Sequence, residues 1–172
     1  MAQLIQGTTA QSVFVDASTI DLVGEDLVVE FQPEWNCNAL VEADPDGDGA
    51  RVLCGQEIGS VTVTAQLWDA LPPLPDDLDH WQDIAEVSVA WRSPFIDFSA
   101  SDEGNCGDPA KRLELPGPGD YRLRVHGRNR DDGDPRGDGD PVEEYLIQMW
   151  PAPYDEPAML RATSLTGAYW RR

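Results

Sequence analysis

The sequence predicts an all-β chain, an antiparallel β-sandwich of jelly-roll-like layout with long acidic loops and at most one short helix. Three observations predict it. Apolar residues recur with a period of two in several short runs, the pattern of strands that turn one face to a core and one to water. About eight or nine such runs are separated by turn chemistry, with 15 glycines and 14 prolines among 172 residues. No stretch carries a helical stripe longer than about two turns.

The elements follow in chain order. Residues 12–16 form the first alternating run, and 26–31 and 51–54 are short apolar runs bounded by turn residues. In 61–67, Val61, Val63, Ala65 and Leu67 fall on one face and Thr62, Thr64 and Gln66 on the other. The stretch 74–86 accommodates the single short helix, with Asp76 or Asp77 as N-cap and acids in its first turn. Strand periodicity returns at 87–91 (Val87, Val89, Trp91), at 112–115, and at 121–125, where Tyr121, Leu123 and Val125 alternate with Arg122, Arg124 and, continuing the register, His126. That alternation predicts a wet face carrying the three polar residues, with His126 exposed. The last strand is 143–150. Three loops interrupt the pattern, at 36–49, 71–79 and 128–141. Trp68 and Trp91 are expected in the core.

Length fits one domain over 1–172, large enough to bury a core without a covalent staple. Cys37, Cys54 and Cys106 are odd in number and lack C-x-x-C spacing, which predicts reduced, buried thiols over a Cys37–Cys54 bridge. The opening residues have no basic segment followed by a long apolar run, and no later stretch is apolar enough to span a bilayer, so a cytoplasmic protein is expected.

The charge bounds the partners. With 32 acidic residues against 12 basic ones the chain carries a formal charge of -20. Such a surface repels phosphate backbones and anionic lipid and attracts basic proteins and divalent cations. Direct nucleic-acid and membrane binding are therefore disfavoured. Lys111 is the only lysine, and background acidity of the host proteome is the competing source of the charge.

Two loops concentrate carboxylates. Asp44, Asp46 and Asp48 followed by Gly49 match the first half of a calcium-binding loop, which makes calcium the possible cofactor. The match ends there, because Gly55 stands where a bidentate Glu is needed. The second loop holds Asp131, Asp132, Asp134, Asp138, Asp140, Glu143 and Glu144 at the tip of a hairpin between 121–125 and 145–150. It is either a solvated tip or a flexible anionic arm that docks on a basic partner. Trp81, among Asp77, Asp79 and His80, has the composition of an interface anchor within a charged rim. The terminal Tyr169-Trp170-Arg171-Arg172 either folds back on the acidic body or frays.

Catalytic signals are sparse. His80 and His126 are the only histidines, neither in zinc-ligand spacing, and no nucleophile elbow or phosphate-binding loop is present, so no enzyme is expected.

Three stretches carry a family resemblance: Ala10-Gln-Ser-Val-Phe-Val-Asp16, the turn Leu115-Pro-Gly-Pro-Gly-Asp120 entering Tyr121-Arg-Leu, and Glu144-Tyr-Leu-Ile-Gln-Met-Trp150. In these, over about half of the chain, the sequence resembles the competence protein J (ComJ) family, whose known member inhibits a DNA-entry nuclease. The resemblance implies a protein-binding module that neutralises or escorts a basic partner, a nuclease or toxin, in the manner of an inhibitor or immunity protein. The alternative is a calcium-binding or structural β-sandwich whose acidity is background.

Overall fold

The computed structural model describes residues 1–26, 28–102 and 107–172. Among them, eleven strands are distributed over two sheets: β1 (Leu4–Val15), β2 (Thr19–Val23), β3 (Val41–Ala43), β4 (Gly49–Leu53), β5 (Gly59–Trp68), β6 (Asp83–Trp91), β7 (Phe95–Asp97), β8 (Arg112–Glu114), β9 (Gly119–Arg128), β10 (Glu144–Pro151) and β11 (Ala158–Ala162). The first sheet runs β1-β5-β10-β9-β6-β11 and the second β3-β4-β2-β7-β8.

Periodicity builds the core. Val61, Val63, Ala65 and Leu67 of β5 are buried on one face, as the alternation requires, and meet Ile20, Leu22, Val52 and Leu113 of the second sheet in one apolar cluster. Trp91 joins that cluster, whereas Trp68, one position out of register with Leu67, lies half-buried on the opposite face. In β1 the pairing shifts between Ala10 and Val13 (Ala10↔Val63, then Val13↔Val61). The extra residue re-phases the strand, so that Ala10, Val13 and Val15 all point inward.

The structure departs from the sequence expectation at several points. β10 returns from β9 as an antiparallel hairpin but lies parallel to β5, so the six-stranded sheet is mixed. Side-chain alternation is blind to this, because it is the same in both directions. Residues 28–31 form no strand. Instead the Val29 and Phe31 carbonyls each accept from the Arg51 guanidinium at 2.9 Å, while its Nε donates to Asp21 at 3.0 Å. One arginine thus supplies the donors that a neighbouring strand would have offered. The stretch 74–86 yields only a 3₁₀ turn, Leu78–His80, before β6 begins, and the Asp77 side chain makes no capping bond. The α-helix lies elsewhere: α1, Leu165–Trp170, with the Ser164 hydroxyl accepting from Gly167 N–H at 2.8 Å. No helix among the described residues is long and apolar enough to cross a membrane.

The largest correction concerns the outer face of β9. Arg122, Arg124 and His126 are buried, not wet. Arg122 and Arg124 share the Glu86 carboxylate at 3.1 and 2.7 Å, and their remaining donors reach the carbonyls of Pro72, Asp155 and Glu156. The segments 71–82 and 151–157 therefore lie over the sheet, drawn down by guanidinium donors that satisfy otherwise unpaired backbone.

Candidate protein-binding surface

Most of the cations are taken up in pairs within the fold. Among the described residues, every Lys and Arg except Arg92, Arg171 and Arg172 is ion-paired to a carboxylate. The deepest is Arg130, fully buried against Asp83, with Nη2 donating to the carbonyls of Ala39 and Leu53 at 2.9 Å. Asp83 in turn accepts from the Thr163 and Ser164 backbone N–H groups at 2.9 and 3.2 Å and from the Ser164 hydroxyl. Since few cations remain outside, the solvent-facing charge is overwhelmingly carboxylate.

The acidic hairpin between β9 and β10 is divided in its roles. Glu143 is buried, accepting from Gly55 N–H at 3.0 Å and from the Tyr145 hydroxyl at 2.6 Å, and burial raises its carboxyl above the ordinary value. Glu144 pairs with Arg128. For Asp131, burial works to raise the carboxyl, but the N–H groups of Leu165 and Thr166 and the Thr166 hydroxyl outweigh it and hold it low. Asp131 thereby caps α1. Asp132, Asp134, Asp138 and Asp140 do stand exposed at the tip. The tip is clipped to the neighbouring turn: Pro135 O accepts from the N–H groups of Glu57 and Ile58 at 2.7 and 3.1 Å, and Arg136 pairs with Glu57, which holds the Glu57 carboxyl low. The arm expected to be flexible is thus anchored at its centre, and of the residues expected to dock, Glu143 lacks the exposure on which that expectation rested.

Trp81 is a second correction. Its indole is buried on the outer face of β9, 5.3 Å from the His126 ring, with the Arg128 guanidinium 4.9 Å above it. It holds the 71–82 segment down and is not an exposed anchor. Asp77 faces His80 at 3.4 Å, and Asp79 is exposed, 3.7 Å from Arg161. Burial, foremost, pushes the His126 imidazole down to about 4, with the Arg124 charge adding to it.

The Asp44–Asp48 loop is a tight hairpin between β3 and β4. Asp44 Oδ1 accepts from Asp46 N–H at 2.8 Å, while Asp48 turns away and accepts from the N–H groups of Arg92 and Ser93 at 2.8 and 2.7 Å and from the Ser93 hydroxyl at 2.6 Å. The three carboxylates do not converge. Among the described residues no group of three or more His, Cys, Asp or Glu side chains is arranged to hold a metal ion. Of the cysteines, Cys54 is a buried free thiol, Cys37 is a free thiol that proves exposed, and Cys106 lies outside the described residues.

β4 separates the two acidic loops. Asp48 precedes its first residue, and Gly55, two beyond its last, meets Glu143 and Arg130. The loops therefore crown opposite ends of the sandwich. Sequence reasoning missed the feature beside the first of them, an exposed tyrosine, Tyr154, which borders three surface grooves.

No family model matches the chain, and no curated protein matches it by sequence. Among solved structures, the chain is similar to the crystal structure of ComJ, inhibitor of the DNA degrading activity of NucA, from Bacillus subtilis, with a TM-score of 0.56 and 10% identity over 88% of this chain and 99% of that one. The layout resemblance carried by the first strand, the turn into β9 and the β10 strand is thus met by a likeness of fold over most of both chains.

Proposed function

We propose that the chain is a non-enzymatic inhibitor that binds a basic nuclease through its acidic surface and blocks the face that receives nucleic-acid phosphates. The observation that carries this reading is the disposition of charge. Arginines serve inside as struts beneath backbone carbonyls, and the exposed carboxylates at the 132–140 tip and of Asp46, with half-buried Asp44 beside it, are left to face a partner. Asp132, Asp138 and Asp140 have no ion-pair partner among the described residues. Such carboxylates attract the same cationic groups that bind phosphate, and they accelerate encounter by long-range steering. The fold likeness to an inhibitor of a DNA-degrading nuclease supports the same class of role.

The test is plasmid degradation by NucA and by a panel of purified basic nucleases, titrated with this chain. Stoichiometric loss of cleavage, with an on-rate that falls between about 50 mM and about 500 mM salt, supports the proposal. Cleavage unchanged across the panel at molar excess of the chain overturns it.

A further inference from the structure

Tyr154 is the most exposed aromatic side chain of the fold, at 68% of its full accessibility. The backbone on either side of it is nonetheless tied down. The segment bearing it contains Pro151, Pro153 and Pro157 and is held on both sides of Tyr154: Ala152 N–H donates to Asp120 O, Asp155 N–H to the Ser88 hydroxyl, and the buried Arg122 guanidinium to Asp155 O and Glu156 O. A large aromatic side chain on a held backbone has only its two side-chain torsions to lose when a partner covers it.

On one side of the ring lies a groove of about 270 Å³, floored by Val41 and Val87 and walled by Pro45 and Pro157. Its rim carries carboxylates. Asp44 and Asp155 each accept one backbone N–H through Oδ1, from Asp46 and Glu156, and each keeps Oδ2 without a hydrogen bond among the described residues. Glu42, also on the rim, already accepts from the N–H groups of Glu34 and Trp35. The two other grooves that border Tyr154 each contain a cation, Arg92 in one and Arg122 in the other, and so lack this uniform sign.

Resting on the inhibitor reading, we infer that this groove is the socket for one arginine side chain of the basic partner. Its apolar floor accepts the methylene stem, the ring of Tyr154 offers a cation–π face, and Asp44 and Asp155 offer carboxylate oxygens to the guanidinium. Charge complementarity selects the occupant: a neutral chain of the same shape gains only the floor.

The probe is acetyl-arginine methylamide, compared with the isosteric, uncharged acetyl-citrulline methylamide in an NMR titration of the whole chain. Saturable shifts at Val41, Ala43, Val87 and Tyr154, weakened about 3- to 10-fold by Tyr154→Ala or Asp155→Asn and retained by Tyr154→Phe, are expected. Shifts that fail to saturate, that are matched by citrulline, or that survive Tyr154→Ala overturn the socket. Nuclease inhibition measured with the same variants separates the two readings. Inhibition that persists undiminished in Tyr154→Ala without arginine binding removes the socket alone, whereas saturable arginine binding without any inhibition removes the inhibitor reading.

Discussion

Arg130 and Asp83 form a fully buried ion pair that ties the β9–β10 hairpin and the entry to α1 to the edge of the core. Removing one partner strands the other in a medium of low dielectric. Arg130→Met or Asp83→Asn is expected to cost about 3–5 kcal/mol in urea denaturation, and the double variant is expected to recover part of that loss. A double variant as unstable as the sum of the singles would show the two residues act independently.

Asp131 serves α1 from outside its own element. Asp131→Ala is expected to fray Leu165–Trp170 at a cost of about 1 kcal/mol, seen as faster amide exchange at Leu165 and Thr166 with the β-sheet amides unchanged. Unaltered exchange there would remove the capping role.

The imidazole of His126 makes stability depend on acid. Its folded-state value lies near 4 against an ordinary 6.5, so at neutral pH the ring is uncharged in both states and nothing is lost. As pH falls through 6.5 the unfolded chain takes up the proton first, and stability declines until about pH 4, by about 3 kcal/mol in all. His126→Phe, which keeps a ring against Trp81, is expected to flatten this part of the profile. A variant whose denaturation midpoint follows the parent's over the same window would place the acid sensitivity elsewhere.

The two described thiols should react very differently. Burial, with the Glu143 charge adding to it, raises the Cys54 thiol far above its ordinary value, whereas Cys37 is exposed. In a Cys106→Ser background, a thiol reagent is expected to modify one site in the folded protein and the second only on unfolding. Rapid modification of Cys54 under native conditions would mean that the core beside Tyr145 opens readily.

The long strands were legible because β5, β6 and β9 alternate over five or more residues with one side chain set on the core. Two of the short strands were not: β3 and β7 are three residues each, too brief for a period, and are specified by their ladder partners, whereas β8, equally short, was legible at 112–115. The alternation on β9 was read correctly as alternation and misread as exposure, since Arg122 and Arg124 are covered by the 71–82 and 151–157 segments, whose carbonyls at Asp155, Glu156 and Pro72 stand 33, 34 and 52 positions away along the chain. Composition likewise could not distinguish Glu143 from Glu144. One residue of register puts the first beneath Gly55 and the second on the rim beside Arg128. The Tyr154 socket was invisible for the same reason, because its walls come from β3, β6 and the segment after β10.

Lys111, the only lysine, is buried and paired with Asp102. The side chains of the folded protein therefore offer an amine-directed reagent no open lysine. Ester-based biotin or dye will spare them while the fold is intact, so that a label appearing on Lys111 reports the opening of its contact with Asp102.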